Sequence, residues 1–197
     1  MTLVEARPAV HVGPFLTVPN GITVVRTVAA VTAGLAALVA GSMTLLVVAY
    51  GIYWLGDMLD GLAARRLGQE TRAGAVLDIV SDRACTAVLC VGLIALVPGV
   101  AVVASVFLPS FMVLDTMLSL AFLCWPVISP NDFHVVDRRV WVLNWSPVAK
   151  AVNTAGVVGA VALGQYRVAL AVAIAVLVVK LWSAVRVAGL LRRDGRA

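Results

Sequence analysis

Asp57 and Asp60 stand three residues apart, Asp78 and Asp82 four apart, and all four fall in the stretch DMLDGLAARRLGQETRAGAVLDIVSD, residues 57–82. Either spacing puts both carboxylates of a pair on one helix face. Four carboxylates drawn together cannot all stay ionised in a poorly hydrated site without cations, because like charges a few ångströms apart repel strongly. The stretch contains neither His nor Cys, and an all-oxygen donor set suits hard ions such as Mg²⁺ or Mn²⁺. Four carboxylates suffice for a pair of ions with bridging ligands, and such a pair can clamp a phosphoryl group in transfer. Metal-assisted phosphoryl transfer is the chemistry expected here.

The elements that must position these acids are membrane spans. The chain has 197 residues, of which 62% are hydrophobic and 13% charged, and its mean hydropathy is +1.03. A soluble domain carries about 25% charged and 45–50% apolar residues. The expected fold is an all-α integral membrane protein, one domain over 1–197, with about six spans of roughly 20 apolar residues. The spans are expected at Ile22 to Ala40, Met43 to Arg65, Ala73 to Val97, Val100 to Cys124, Val148 to Leu163 and Val168 to Leu191. They are flanked by an N-terminal arm, 1–20, and a polar tail, 192–197. Val10 to Val18 is expected to lie along the membrane surface as a short interfacial helix. Pro8, Pro14 and Pro19 and the lack of a compact apolar core argue against a cleaved signal peptide.

The connections at Gly41-Ser42, Pro98-Gly99 and 164–167 carry only Arg167. The opposite side holds Arg7, Arg65, Arg66, Arg72, Arg138, Arg139, Arg192, Arg193 and Arg196. The positive-inside rule therefore places both termini and the 57–82 hairpin in the cytoplasm of a multi-pass cell-membrane protein. The net charge of +5 and pI near 9.6 are read as topology signals, with no nucleic-acid partner. Cys85, Cys90 and Cys124 sit in apolar runs without a CxxC pattern and read as small buried hydrophobes. His11 and His134 form no zinc pattern.

The two acid pairs are expected on antiparallel neighbouring helices, their carboxylates facing each other. Gly61, Ala63, Ala64, Ala73, Gly74 and Ala75 leave helix faces bare, either for a ligand to reach the backbone or for close helix packing. Arg65 can pair with a ligand phosphate. The plainer alternative for the aspartates is ion pairing with Arg65, Arg66, Arg72 and Arg83.

Residue for residue, the stretch resembles the motif D-x2-D-G-x2-A-R-x8-G-x3-D-x3-D of the CDP-alcohol phosphatidyltransferases, through Asp57, Asp60, Gly61, Ala64, Arg65, Gly74, Asp78 and Asp82. PNGITVVR, Pro19 to Arg26, is similar to that family's PN-x-[LI]-T-x2-R entry to the first span. The resemblance implies a phospholipid-synthesis reaction in which an alcohol attacks the β-phosphoryl of CDP-diacylglycerol and CMP leaves. It implies Asp57, Asp60 and Asp78 as metal ligands, and Asp82 as the residue that completes the metal site and takes the acceptor's proton. It also implies Gly61, Ala64, Arg65, Gly74, Asn20, Thr23 and Arg26 in the nucleotide and diphosphate site. It further implies a homodimer, for which apolar spans three and four offer faces.

The acceptor is less legible. TRAGAVLDIVSDR looks like the form found in phosphatidylinositol phosphate synthases, and AKAVNT is loosely similar to segments of phosphatidylglycerophosphate and cardiolipin synthases. A polyol phosphate, glycerol 3-phosphate or inositol 1-phosphate, is expected, with phosphatidylglycerol as the alternative. Arg138, Arg139, Lys150 and Arg186 are the cations that could grip it, or else topology charges. Trp141 and Trp145 read as interface anchors. Asp115 and Lys180 lie at similar depth in their spans and are expected to pair. Two other classes compete: an ion-coupled transporter, disfavoured because the acids lie at one membrane face with no repeat, and a family member without catalysis, disfavoured by retention of all four aspartates.

Overall fold

A strand-free chain follows from the sequence, and in the computed structural model every regular element among the described residues is helical. The structure describes residues 12–193 and 195, the side chains of 154 and 155 excepted. Residues 1–11 of the arm, with Arg7 and His11, and residues 194, 196 and 197 of the tail lie outside that description. The described part of the expected interfacial helix, 12–17, is not helical.

Helix boundaries are set by local chemistry. α1, Val18–Ala40, starts where the Thr17 side chain accepts from the Asn20 N–H, and ends at Gly41 in the left-handed region. α2, Met43–Leu67, is capped by Ser42 and stopped by left-handed Gly68, with Arg65 and Arg66 in its last turn, where cations favour the helix dipole. α3, Arg72–Leu96, is capped by Thr71. α4 is the rod Pro98–Cys124, which widens into a π turn at Ser110–Asp115 directly after Pro109; a proline cannot donate to the regular ladder and loosens the helix there. α5, Arg138–Asn144, is capped by Asp137, whose carboxylate accepts from the Arg139 and Val140 N–H groups. α6 comprises Pro147–Lys150, a π turn Ala151–Gly156 and Val157–Ala162 in succession. α7 is Tyr166–Arg193.

Five of these rods, α1 to α4 and α7, are long and apolar enough to cross a membrane. The expected fifth span, Val148 to Leu163, corresponds to α6, which is shorter and interrupted by its π turn. Large apolar side chains such as Val39, Leu163 and Val185 stand exposed on the outside, as lipid-facing residues do. Contact between helices relies on small residues, as expected where lipid removes the hydrophobic drive to associate. A Cβ on Gly34 would lie 2.8 Å from Val88 Cγ1, and one on Gly92 2.9 Å from Leu46 Cδ1.

α1 packs along both α2 and α3, more extensively than those two pack on each other. The expectation of neighbouring helices with facing carboxylates holds: the connection Gly68–Thr71 is short, α2 and α3 are in contact, and oxygens of Asp57, Asp60 and Asp78 lie within 4.8 Å of one another, while α1 packs along both rods. α7 packs on α4 and α6 and closes the other side.

The start of α3, the ends of α2, α4 and α7, and the segment 125–146 gather at one face. There the Val18 N–H donates to Gln69 Oε1 at 3.1 Å, and Arg72 Nη2 donates to Leu123 O at 2.8 Å and Phe122 O at 3.3 Å. The segment 125–146 is itself folded. It folds as a 3₁₀ turn, Pro130–Val135, and α5, over a core of Ile79, Leu118, Phe122, Trp125, Phe133, Val140 and Val187. Trp145 belongs to that core, 7% exposed and 5.0 Å from the Phe133 ring, so it is a packing residue and not an interface anchor. Trp141 is also engaged, its Nε1 donating to Asn131 O at 2.7 Å. Cys85 is buried as expected, whereas Cys124 is exposed at the end of α4.

Candidate active site

α2 and α3 deliver the four aspartates roughly two to three turns inside that face, and α1 meets them with Arg26. The Arg26 guanidinium makes an ion pair with each acid. Nε donates to Asp60 Oδ2 at 2.7 Å, and Nη2 to Asp78 Oδ1 at 2.6 Å, Asp57 Oδ1 at 3.2 Å and Asp82 Oδ1 at 3.3 Å. Thr23, one turn earlier on α1, donates its hydroxyl to the same Asp60 oxygen at 2.7 Å. The plainer ion-pairing alternative named the wrong arginines. Arg72 instead caps the end of α4, Arg65 and Arg66 are exposed, and Arg83 turns away to Asp115.

The four acids are not equivalent. Asp60 is sealed, its side chain 6% exposed, whereas those of Asp57 and Asp78 are about 41% and 42% exposed and Asp82 lies between at 21%. The cluster thus has a buried anchor and an open mouth. One oxygen each from Asp57, Asp60 and Asp78 lies within 4.8 Å of the others, a spacing and donor set that fit a hard divalent cation. Asp82 is outside that group of three but shares Arg26 with it.

Two features of this arrangement have no counterpart among the sequence-predicted site residues. Gly56 is bare because a Cβ there would lie 2.5 Å from Arg26 Cβ and 2.7 Å from its Cδ, so the glycine is the cradle for the arginine stem. Tyr53, one turn deeper on α2, faces the guanidinium at 5.6 Å from ring centroid to carbon. A lone arginine inside the first apolar run was the available signal: such a charge must find acids.

The remaining expected donor-site residues lie toward the face. Gly74 lets the start of α1 approach α3, since its Cβ would lie 2.8 Å from Asn20 Oδ1. Arg65 lies over Gly61, whose Cβ would be 3.3 Å from its Nη1, and Ala64 is half-buried. The proposed acceptor cations are dispersed among separate partners. Arg186 Nε donates to Asp137 Oδ2 at 2.6 Å, Lys150 Nζ donates to Asn131 Oδ1 at 2.8 Å, and Arg138 and Arg139 are exposed at the start of α5.

Asp115 and Lys180 do pair, and the pair is part of something larger. Arg83 Nη2 donates to the other Asp115 oxygen at 2.5 Å, Lys180 also donates to Asn144 Oδ1 at 3.1 Å, and Asn144 Nδ2 donates to Ser183 Oγ at 2.8 Å. The Arg83 guanidinium carbon sits 3.8 Å from the Phe111 ring centroid, on the π turn that presents Asp115. α3, α4, α5 and α7 are therefore joined by one buried polar network beside the acid cluster.

Two cavities adjoin the outer part of the site without containing its aspartates. One of about 510 Å³ lies between residues 12–17, the turn 68–72 and residues 126–128. The other, about 570 Å³ and mostly apolar, runs along α3 past Ala73, Val76, Leu77 and Val80.

Curated relatives share part of this chain. A CDP-diacylglycerol–inositol 3-phosphatidyltransferase of Candida albicans is 42% identical over 84 residues, 43% of this chain and 36% of that protein. The Homo sapiens protein of the same name is 39% identical over 85 residues, 43% of this chain and 38% of its own length. The matched region spans little more than a third of these relatives. No solved structure matches the chain. The family model for CDP-alcohol phosphatidyltransferases, however, matches residues 16–192, from just before α1 almost to the end of α7. It takes in every element that touches the carboxylates, and the chain belongs to the CDP-alcohol phosphatidyltransferase family.

Proposed function

We propose that this protein transfers the phosphatidyl group of CDP-diacylglycerol to the hydroxyl of an inositol-type polyol, releasing CMP. The observation that carries the reading is the convergence of Asp57, Asp60, Asp78 and Asp82 on one point from the family's motif positions. Asp57, Asp60 and Asp78, with Asp82 completing the set, would hold Mg²⁺ or Mn²⁺, two ions on this donor count. When bound, these ions neutralise the diphosphate charge and polarise the phosphoryl oxygens.

The chain's own residues divide the remaining work. Asp60, fixed by Arg26 and Thr23, anchors the cluster, while the open carboxylates of Asp57 and Asp78 face the entering ligand. Asp82 takes the proton from the acceptor hydroxyl as its oxygen attacks the phosphatidyl phosphorus and the bond to CMP breaks. Asn20, Gly61, Ala64, Arg65 and Gly74 line the path of the nucleotide on the outer side. Lys150 and Arg186 would attract an acceptor that carries phosphate, as inositol 1-phosphate does, by leaving Asn131 and Asp137, their present partners.

The curated relatives are inositol transferases by name, which supports inositol or inositol 1-phosphate over glycerol 3-phosphate and phosphatidylglycerol. Labelled CDP-diacylglycerol incubated with the purified protein and each of these four acceptors is expected to release CMP with an inositol acceptor. Release with glycerol 3-phosphate alone would overturn the assignment. EDTA is expected to stop release and Mg²⁺ or Mn²⁺ to restore it; release that ignores the chelator would remove the metal from the mechanism.

We further infer that α6 is a sixth crossing and that the arginine-rich face is cytoplasmic. α6 is about 24 Å long at 1.5 Å per residue, short against a core of about 30 Å, but Lys150 in its first turn can sit in the headgroup region. Six crossings keep Arg192 and Arg193 on the side of Arg65, Arg66 and Arg72, as the positive-inside rule asks.

A further inference from the structure

The acid cluster already contains a cation, Arg26. Its Nη2 lies within 3.3 Å of oxygens from Asp57, Asp78 and Asp82, and is therefore at the centre of the open mouth of the cluster. A divalent ion drawing those oxygens into its own coordination shell needs that place. The other end of the guanidinium is held differently. Nε is bound to Asp60, the most buried acid, whose same oxygen is shared with Thr23. The stem lies against bare Gly56, and the plane faces Tyr53. One end of the side chain is held by Asp60, itself braced by Thr23, and by its fit against Gly56 and Tyr53, and the other is engaged with Asp57, Asp78 and Asp82.

We propose that Arg26 is a resident counter-cation. It holds the four carboxylates together before metal binds, and divalent ions load by displacing its Nη2 end while Nε stays on Asp60. Four carboxylates forced together without any cation would repel one another and splay α2 from α3. A fork of five donors on a rigid plane can bridge four acceptors, which a lysine's point charge cannot. The arrangement lets the site fold preassembled in the bilayer and still open to metal. The proposal rests on the metal reading of the site.

The test uses the full chain in detergent or nanodiscs, stripped with EDTA, and reads Mn²⁺ binding by the loss of the free-ion electron paramagnetic resonance signal, together with the thermal unfolding midpoint. In Arg26→Gln, the metal-free midpoint is expected to fall below wild type and Mn²⁺ to bind roughly tenfold tighter, because no charge must leave. Its midpoint should also rise further on adding Mn²⁺ than that of wild type. Arg26→Lys should recover part of the metal-free midpoint. Should Arg26→Gln fail to fold, Gly56→Ala, which crowds the stem without removing the charge, is expected to shift both readouts in the same direction. Mn²⁺ binding unchanged or weaker in Arg26→Gln, or in Gly56→Ala where the glutamine variant does not fold, would overturn the proposal while leaving the metal site standing. A wild-type protein that binds no Mn²⁺ would overturn both. Neither readout requires turnover.

Discussion

At the scale of single residues, the site distinguishes four aspartates that the motif writes alike. Asp60 is enclosed by Arg26 and Thr23, whereas Asp57 and Asp78 open outward and Asp82 is mostly covered. Asp82→Asn keeps the volume and removes only the charge and the proton acceptor. It is expected to abolish CMP release while the protein still inserts and binds CDP-diacylglycerol; near-wild-type turnover, read beside a donor-binding assay, would take Asp82 out of the base role. Glycine has two different uses around this site. Gly56 and Gly74 are bare because Arg26 and Asn20 occupy the space a Cβ would need, while Gly68 ends α2 in a left-handed turn that a side chain would strain.

At the scale of elements, the site depends on α1 reaching it and on α3, α4 and α7 staying registered around it. Gly34 and Gly92 set the helix separations, with the virtual Cβ contacts of 2.8 and 2.9 Å leaving no room for a larger residue. Gly92→Leu is expected to cost about 1–3 kcal/mol, read as a lowered unfolding midpoint in micelles. The Arg83–Asp115–Lys180 network makes a sharper, ordered prediction. Asp115 accepts from both cations, so Asp115→Asn strands two buried charges and is expected to cost about 3–5 kcal/mol. Lys180→Met leaves Asp115 its pair with Arg83 and should cost clearly less. If unfolding measurements found the lysine variant the weaker of the two, the shared-carboxylate arrangement would be refuted. Because Asn144 joins this network from α5, the cap of residues 125–146 should loosen with it.

At the scale of the whole molecule, the charge asymmetry read along the chain reappears as one arginine-rich face in space. Arg167, by contrast, sits at the start of α7, where Tyr166 meets Gly99 at the other end of α4. With α6 as a crossing, the start of α1 and the end of α7 lie on the same side. Reporter tags fused after residue 40 and after residue 197, read by protease or thiol-reagent accessibility in oriented vesicles, are expected on opposite sides of the membrane, the second cytoplasmic. A tag at the C-terminus found on the side of Gly41 would reduce the crossings to five and reverse the placement of Arg192 and Arg193.

What the sequence by itself determined is what depends on short range. Spacings of three and four put each acid pair on one helix face, hydropathy over consecutive residues marked the long rods, and Gly41 and Pro98 marked two of their ends. The chemistry of the donor set was legible for the same reason: the four acids sit in one continuous stretch. What only the tertiary structure decided is which distant groups those faces meet. Arg26 lies 31 residues from Asp57 along the chain and 56 from Asp82, and it reaches them because α1 packs along both α2 and α3. Arg83 is adjacent to Asp82 in sequence but turns to Asp115, at the end of the π turn Ser110–Asp115 on α4. Within the segment 125–146, Phe133, Val140 and Trp145 become a core only once α3, α4 and α7 supply the opposing wall. A buried charge must be neutralised, but which neutralising partner it takes is set by helix rotation and packing, which no local stretch of residues contains.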